Sequence, residues 1–520
     1  MNTAAWTAEC LRWQKYERET AHQANLAVLE AIQRDLAQPA RLKRNFPSIL
    51  AGVANLFNTH TDLETAAEIC AALGAWPERW GFSAAWEKQL HQAANWACEN
   101  NHPKSAILLE TLAELLYFSS KTEEARKLAQ QAVGQARLIR DPAALALGLK
   151  TLMAIHWSLD EPAEIDEQIN ACEAELLSWG ISPDRILTYC VPLKIMQVMI
   201  LRTTGEIALA RDLAAQLIDN IFHLEEIDIH LVADCYQVCG VMGWVNGLLV
   251  EAQYSFERAS ELYALAGAST MLAYIQANLA LVYLSRGRLK LAEQASINAI
   301  QLNEQVGSLI RYVNSLGLLG LTYYCARRFK ESAAIFRRQI RLARRSGSNR
   351  SYHLAVDNRH SLLVMQGKFR KALPGLLEAR AYYQQSNARE RLLGVEIDLI
   401  VCFHGLEDTE QVEYYAQSIQ TLLEKPGLER NRAAALRAIS LARPTEEARN
   451  LLHTAYDLAV NRGFQLEKAA CLLKLAGLES DPELRSYLWQ AGSELCVDCG
   501  AGEWLTGATV DQPPFLPFVI

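Results

Sequence analysis

No stretch of this 520-residue chain reaches the roughly 18 uncharged apolar residues that a membrane-spanning helix requires. The opening Met1-Asn2-Thr3-Ala4-Ala5-Trp6 meets Glu9, Arg12, Lys15, Glu17 and Arg18 too soon to read as a secretory signal. Sequence motifs for common chemistries are missing as well. There is no GxxxxGKS/T loop to cradle phosphates, no HExxH, no GxSxG, and no glycine-rich dinucleotide loop following a strand. Gly367-Lys368-Phe369 has an aromatic where the phosphate loop needs a hydroxyl. No alternating run of Val, Ile and Thr is long enough to require a sheet. Positive charge is in deficit: 51 Lys and Arg against 59 Asp and Glu leave a formal charge of -8, so the net charge gives nucleic acid or an anionic membrane no support as a partner.

What is present fits a folded chain, with half its residues apolar and 21% charged. The length would suit three or four domains, unless the chain grows by stacking repeats. The twelve cysteines are scattered, and Cys235, Cys239, Cys325 and Cys471 lie inside apolar helical patterns; they read as buried thiols of a reducing compartment, the cytoplasm. Cys496-Val497-Asp498-Cys499 is the one CxxC, and no second ligand pair follows it, so the expectation is two ordinary thiols rather than a metal or redox site. His156, His360 and His404 sit in helical patterns as packing or surface residues. Glu225-Glu226 and Glu446-Glu447 read as solvated faces, because adjacent side chains point in different directions around a helix. No cofactor and no metal is expected, and an enzyme is the minority reading.

The main signal is a repeat. Gly247, Gly287 and Gly367 fall at intervals of forty or twice forty, with Arg327 in the slot between. Ala252, Ala292, Ser332 and Ala372 follow five residues after each slot, then Ala259, Ala299, Gln339 and Ala379 seven further on. A second marker recurs as Gly267, Gly307, Gly347 and Asn387, residues that tolerate the left-handed turn ending a helix. Each unit reads as two helices: in the clearest, Leu272 to Leu284, a turn at Ser285-Arg286-Gly287-Arg288, then Leu289 to Leu302. Worn copies flank these around Gly205, Ala210 and Ala214, around Leu112 to Ala132, and around Thr445 to Gly463. Ser120-Lys121-Thr122-Glu123 reads as a capping box, and Asp141-Pro142 and Asp481-Pro482 as helix starts. At the N-terminus a helical pattern runs from Trp13 to Leu36 and ends at Pro39. Trp76, Trp80, Trp86 and Trp96 follow; packing between irregular helices explains them, with a ligand-binding surface as the alternative.

Gly240, Gly247, Ala252, Phe256 and Ala259, and again Ala280, Tyr283, Gly287, Ala292 and Ala299, resemble the tetratricopeptide repeat in a long, forty-residue variety. The arrangement is similar to the sensor arrays of bacterial signal-transduction ATPases related to the maltose-regulon activator, here without the ATPase or a DNA-binding domain. The resemblance implies an all-α fold, a right-handed α-solenoid of helical hairpins. Residues 1–84 would form a helical cap with degenerate repeats, 85–475 the array (clearest over 232–387), and 476–520 a capping helix and an apolar, non-helical tail.

The resemblance also puts the first helix of each unit on a concave face, which places Gln237, Trp244, Tyr274, Arg311, Asn314, Tyr324 and Asp357 there as candidate protein-binding residues. Arg337, Arg338, Arg341, Arg344 and Arg345 form a basic stripe on one helix, which reads first as a solvated face, with a contact for an acidic protein surface and then for nucleic acid as the alternatives. Phe515, Leu516, Phe518, Val519 and Ile520 form an apolar tail after Pro513-Pro514, expected to dock around Leu484, Leu488 and Trp489 or in a partner. The implied function is a non-catalytic scaffold, adaptor or sensor for a protein or peptide partner, which includes a separately encoded ATPase or regulator. The alternatives are a small-molecule-sensing regulatory subunit and an enzyme of unrecognised type.

Overall fold

The computed structural model describes residues 3–36, 39–119, 121–159, 165–221, 228–346, 348–425 and 427–517. Among them there is no strand. The helices are α1 (Thr3–Asp35), α2 (Pro39–Thr59), α3 (Leu63–Leu73), α4 (Trp76–Arg79), α5 (Ser83–Glu99), α6 (Ser105–Phe118), α7 (Thr122–Ile139), α8 (Pro142–Ser158), α9 (Ile165–Ser178), α10 (Pro183–Thr204), α11 (Ile207–Ile221) and α12 (Ile229–Val245). They continue as α13 (Leu249–Leu265), α14 (Ser269–Ser285), α15 (Leu289–Gln305), α16 (Leu309–Cys325), α17 (Phe329–Ser346), α18 (Asn349–Met365), α19 (Phe369–Gln385), α20 (Arg389–Gly405), α21 (Thr409–Leu423), α22 (Arg432–Ile439), α23 (Thr445–Arg462), α24 (Gln465–Leu478) and α25 (Pro482–Asp498). The chain is an all-α solenoid of helical hairpins, and it divides into two compact units. The first comprises 1–203, 212–235 and 261–271, the second 204–211, 236–260 and 272–520.

In the first unit Phe46 is fully buried between Trp80 and Trp86, with ring centroids 5.7 and 5.5 Å away, and Trp86 Nε1 donates to Gly74 O at 3.1 Å. Trp80 and Trp86 are thus core residues rather than a binding surface. The α8 start has the expected form: the Asp141 carboxylate accepts from Ala144 N at 3.0 Å, and Pro142 opens the helix. Ser120 of the expected capping box lies outside the described residues, as do Glu225, Glu226 and Gly347. Helix α10 is long and apolar enough by length and composition to cross a membrane, a segment passed over in the sequence because charges interrupt it. Its Ile186, Cys190 and Leu193 pack with Ile169, Cys172 and Leu176 in the unit's core.

The second unit shows why the period is forty. Each first helix ends on a left-handed residue: φ is 74° at Gly247, 69° at Gly287, 60° at Arg327, 68° at Gly367 and 61° at Glu407. The next residue donates back five positions, as in Arg288 N to Tyr283 O (2.7 Å), Arg328 N to Tyr323 O (2.8 Å) and Asp408 N to Phe403 O (3.0 Å). This closure satisfies carbonyls the helix would leave bare. Second helices close likewise at Gly307 and Asn387. Packing between the two helices trades volume slot by slot. A Cβ on Gly240 or Gly320 would overlap the ring of Phe256 or Phe336. Where His360 takes the same slot, room comes instead from Gly375, against which the imidazole lies.

The array folds its own C-terminal segment against three of these turns. Arg462 lies over Gly247, and Cys499 and Gln465 over Gly287. Arg327 donates to Glu503 O and to Thr506 O and stacks its guanidinium 5.5 Å from the Trp504 ring. Trp504 Nε1 donates to Cys325 O at 2.7 Å, both groups buried. Leu284, Tyr324, Leu466, Leu473, Cys496 and Leu516 share one apolar cluster. Helix α25 runs to Asp498, one turn past the end read from the pattern at Leu495. Cys496 and Cys499 are both buried here, and burial pushes their thiols up to about 12 and about 11.

Candidate functional site

Successive first helices of the second unit touch one another, α16 with α18 and α18 with α20. Where they meet lies a cavity of about 70 Å³ whose walls come from α14, α16, α18 and α20, closed by Arg430. Its polar lining comprises Ser285, Tyr324, Asp357, Asn358, Ser361, Glu390, Arg391, Asp398 and Arg430. Asp357 and Asp398 are each 8% exposed. Ser361 Oγ donates to Asp398, and Tyr383 OH to Asp357 at 3.5 Å. Burial, reinforced by the neighbouring Asp398 charge, pushes the Asp357 carboxyl up to about 8; burial pushes Asp398 up to about 7. Desolvation therefore outweighs the one cation acting on the pair, Arg391, which lowers Asp357 only in part.

Arg430 completes the lining. It is 6% exposed, lies 3.9 Å from the Trp244 ring centroid, and comes within 3.7 Å of Glu390. Its Nε donor has no hydrogen-bond partner among the described residues. The cavity lining thus combines carboxyls without a full counter-charge and an unused guanidinium donor. A cationic side-chain tip entering it would meet both carboxyl groups.

Of the concave-face candidates, Tyr324 and Asp357 line this cavity, and Trp244 abuts it through Arg430. Tyr274 and Asn314 stand seven residues before the lining residues Leu281 and Leu321, hence two turns away on the same helix faces. Asn314 is exposed and accepts from Ser351 Oγ at 3.3 Å; Gln237 and Arg311 are half-buried on α12 and α16. Asp398, Arg391 and Arg430 were not singled out from the sequence. In a helical pattern a charged residue at a buried position looks like one on a solvated face, and Arg430 lies in a short 3-10 turn with no periodicity to read.

The five arginines of α17 are all exposed. Arg338 donates to Tyr312 OH with its guanidinium 5.4 Å from that ring, and Arg344 lies 5.3 Å from the Tyr352 ring. Two grooves flank the helix, one of about 730 Å³ with Arg337, Arg341, Arg344 and Arg359, the other of about 550 Å³ with Arg338, Arg341 and Arg345. His360, in the first groove, bonds the Val356 carbonyl at 2.6 Å through Nδ1, and burial lowers its pKa.

In the tail, Leu516 is 1% exposed, and the carbonyls of Leu516 and Pro517 accept from Arg437 at 3.0 and 3.2 Å. Phe515 packs at the edge of the cluster containing Leu399 and Ala435. Leu516 therefore lies against α24 and Arg437, whereas Leu484, one of the expected landing residues, is 45% exposed. Phe518, Val519 and Ile520 lie outside the described residues.

The first unit holds a separate buried ionic cluster. Lys150 pairs with Glu114, Thr151 Oγ1 donates to Glu110 at 3.2 Å, and burial pushes Glu110 up to about 7. Among the described residues no group of three or more His, Cys, Asp or Glu side chains is placed to hold a metal ion.

No family model and no curated protein matches the chain. Solved structures do. A Rap protein complexed with Competence and Sporulation Factor aligns with a TM-score of 0.54 at 11% identity, covering 77% of this chain and 99% of that one. The apo form of the quorum sensor NprR from B. thuringiensis gives 0.46 at 14% identity, over 74% and 99%. A Signal Transduction ATPase with Numerous Domains protein with a tetratricopeptide repeat sensor, from Pyrococcus horikoshii, gives 0.39 at 13% identity, over 84% and 74%. The likeness to the Rap protein is one of fold: this chain is a solenoid of helical hairpins similar to it.

Proposed function

We propose that the protein is a non-catalytic sensor or scaffold that binds a peptide or protein segment along the first-helix face, anchoring a cationic side chain in the cavity between Asp357, Asp398 and Arg430. The cavity carries this reading: four successive repeats contribute to it, and its carboxyls are buried without a full counter-charge. Its size favours one side-chain tip over a whole metabolite, since small-molecule pockets usually measure about 300–1,000 Å³ against about 70 Å³ here. The rest of the ligand would run toward Asn314 and Tyr274. The shared fold with a Rap protein solved in complex with Competence and Sporulation Factor supports a binding role. A separately encoded ATPase or regulator of the cytoplasm is the partner class to which such a sensor would pass its response.

Random heptapeptides displayed on phage and selected against the full chain test this. Wild type should enrich Lys- or Arg-bearing sequences. Asp357→Asn combined with Asp398→Asn should lose that enrichment while keeping its helical circular dichroism. The same preferences from both proteins would refute the assignment.

A further inference from the structure

The repeat provides its own control for the arginines of α17. Slots 337, 338, 341, 344 and 345 recur forty residues earlier as Ile297, Asn298, Gln301, Glu304 and Gln305. Forty residues later they are Leu377, Glu378, Ala381, Gln384 and Gln385, and eighty earlier Glu257, Arg258, Glu261, Ala264 and Leu265. Apart from Arg258, the fold fills these slots elsewhere with neutral or acidic residues, so packing does not demand five arginines at one copy. None of the five has a carboxylate within 4 Å among the described residues; Glu378, across the larger groove, stands 3.8 Å from His353 instead. The positive face continues onto α18 through Arg359 and into a third groove of about 350 Å³ with Lys330 and Lys368. Tyr312 and Tyr352 hold Arg338 and Arg344 against their rings, which fixes two planar forks before any ligand arrives.

We propose that the α17–α18 face is a docking surface for an acidic protein segment, distinct from the first-helix cavity. Arg337, Arg341 and Arg344 follow at intervals of four and three and face one groove, spaced to pair with successive carboxylates. From Arg337 to Arg345 the stripe is about 12 Å long at 1.5 Å per residue. Glu304 rims one groove and Glu378 the other. Carboxylates in both groove linings and a net charge of -8 over the chain weigh against a long polyanion, whereas a few successive Glu or Asp side chains match the stripe of about 12 Å.

The test is fluorescence anisotropy with a fluorescein-labelled decaglutamate peptide and the full chain at low salt. Wild type should bind saturably, and added salt should weaken the complex. Arg337→Gln, Arg341→Gln and Arg344→Gln together should weaken it about tenfold, since each exposed pair contributes about a twofold factor or more. The same three changed to Lys should lose about threefold, because lysine keeps the charge but not the fork. Unchanged affinity in the Gln variant, or full affinity in the Lys variant, would overturn the proposal. So would tighter binding of a ten-nucleotide oligothymidylate than of the peptide, which would make the face a nucleic-acid site.

Discussion

Alanine at position 287 should destabilise the second unit far more than alanine at 367, although the two glycines hold the same slot with φ of 69° and 68°. Both substitutions put a Cβ into a left-handed residue, at about 1–2 kcal/mol. At 367 that is the whole cost, because no atom lies within 4 Å of the new carbon. At 287 the same carbon would fall inside the contact radius of Cys499 Sγ and 3.2 Å from the Cβ atoms of Cys499 and Gln465. Cys499 is 5% exposed within an apolar cluster, so its sulfur has little room to move, and overpacking of this kind costs about 1–3 kcal/mol more. Urea unfolding followed by circular dichroism should therefore separate the variants by roughly 0.5–1 M in midpoint, taking a slope of about 2–3 kcal/mol/M. Cys499→Ala in the Gly287→Ala background removes the sulfur and should recover part of the loss, with a coupling of about 1 kcal/mol. Equal midpoints for the two glycine variants would show that the C-terminal segment does not press on this turn.

The acidic pair sets a pH dependence. Asp357 and Asp398 titrate at about 8 and about 7 when folded but near 3.9 when unfolded, so the unfolded chain binds fewer protons above pH 4. Their contribution to stability is full below pH 4 and is lost as pH rises toward 8; Asp357→Asn with Asp398→Asn should flatten that slope in unfolding midpoints taken from pH 5 to 8, and an unaltered slope would contradict it. Arg437 and Glu467 are 4% and 6% exposed and paired; Arg437→Met should cost about 3–5 kcal/mol by stranding the carboxylate, and adding Glu467→Leu should restore only part of it in the same assay, because the Leu516 and Pro517 carbonyls stay without their donor. Leu516→Ala should cost about 2–5 kcal/mol of local stability and speed hydrogen exchange of the Trp504 and Ala501 amides, while leaving those of α10 unchanged.

Backbone closure was legible in the sequence because it needs a left-handed residue, and glycine marks most such places. Gly247, Gly287 and Gly367 gave the period at once. Glu407 has φ of 61° in the same series yet carries no compositional mark, so the fifth copy was invisible. The first-helix face was partly legible: Tyr324 and Asp357 line the cavity, but its closure by Arg430 depends on a contact across the array between Trp244 and a residue 186 positions later. Long-range docking of this sort leaves no periodic trace. The same holds for Leu516, whose apolar character suggested burial but whose seat against α24 and Arg437 follows only from the folded path.

Departures from the repeat template carry more information than the template itself. Arg327 in a glycine slot bears a left-handed backbone at a cost of about 1–2 kcal/mol. Its guanidinium donates to Glu503 O and Thr506 O and stacks on Trp504, contacts that glycine could not make and that offset the strain. The exception thus marks where the array meets a non-repeating segment. Asp357 obeys the same rule: its counterparts are Gln237, Ala277, Gly317 and Ile397, and those of Asp398 are Val238, Asn278, Leu318 and Asn358. Four copies fold with a neutral residue at each slot, so hairpin packing does not require either carboxylate. A buried acid that the fold can dispense with lowers stability at neutral pH, and binding a cationic group would recover that loss. On that argument a bound basic peptide should raise the unfolding midpoint of wild type more at pH 8 than at pH 5, and should leave the double Asn variant unmoved at both; an equal rise in both proteins would place the peptide elsewhere.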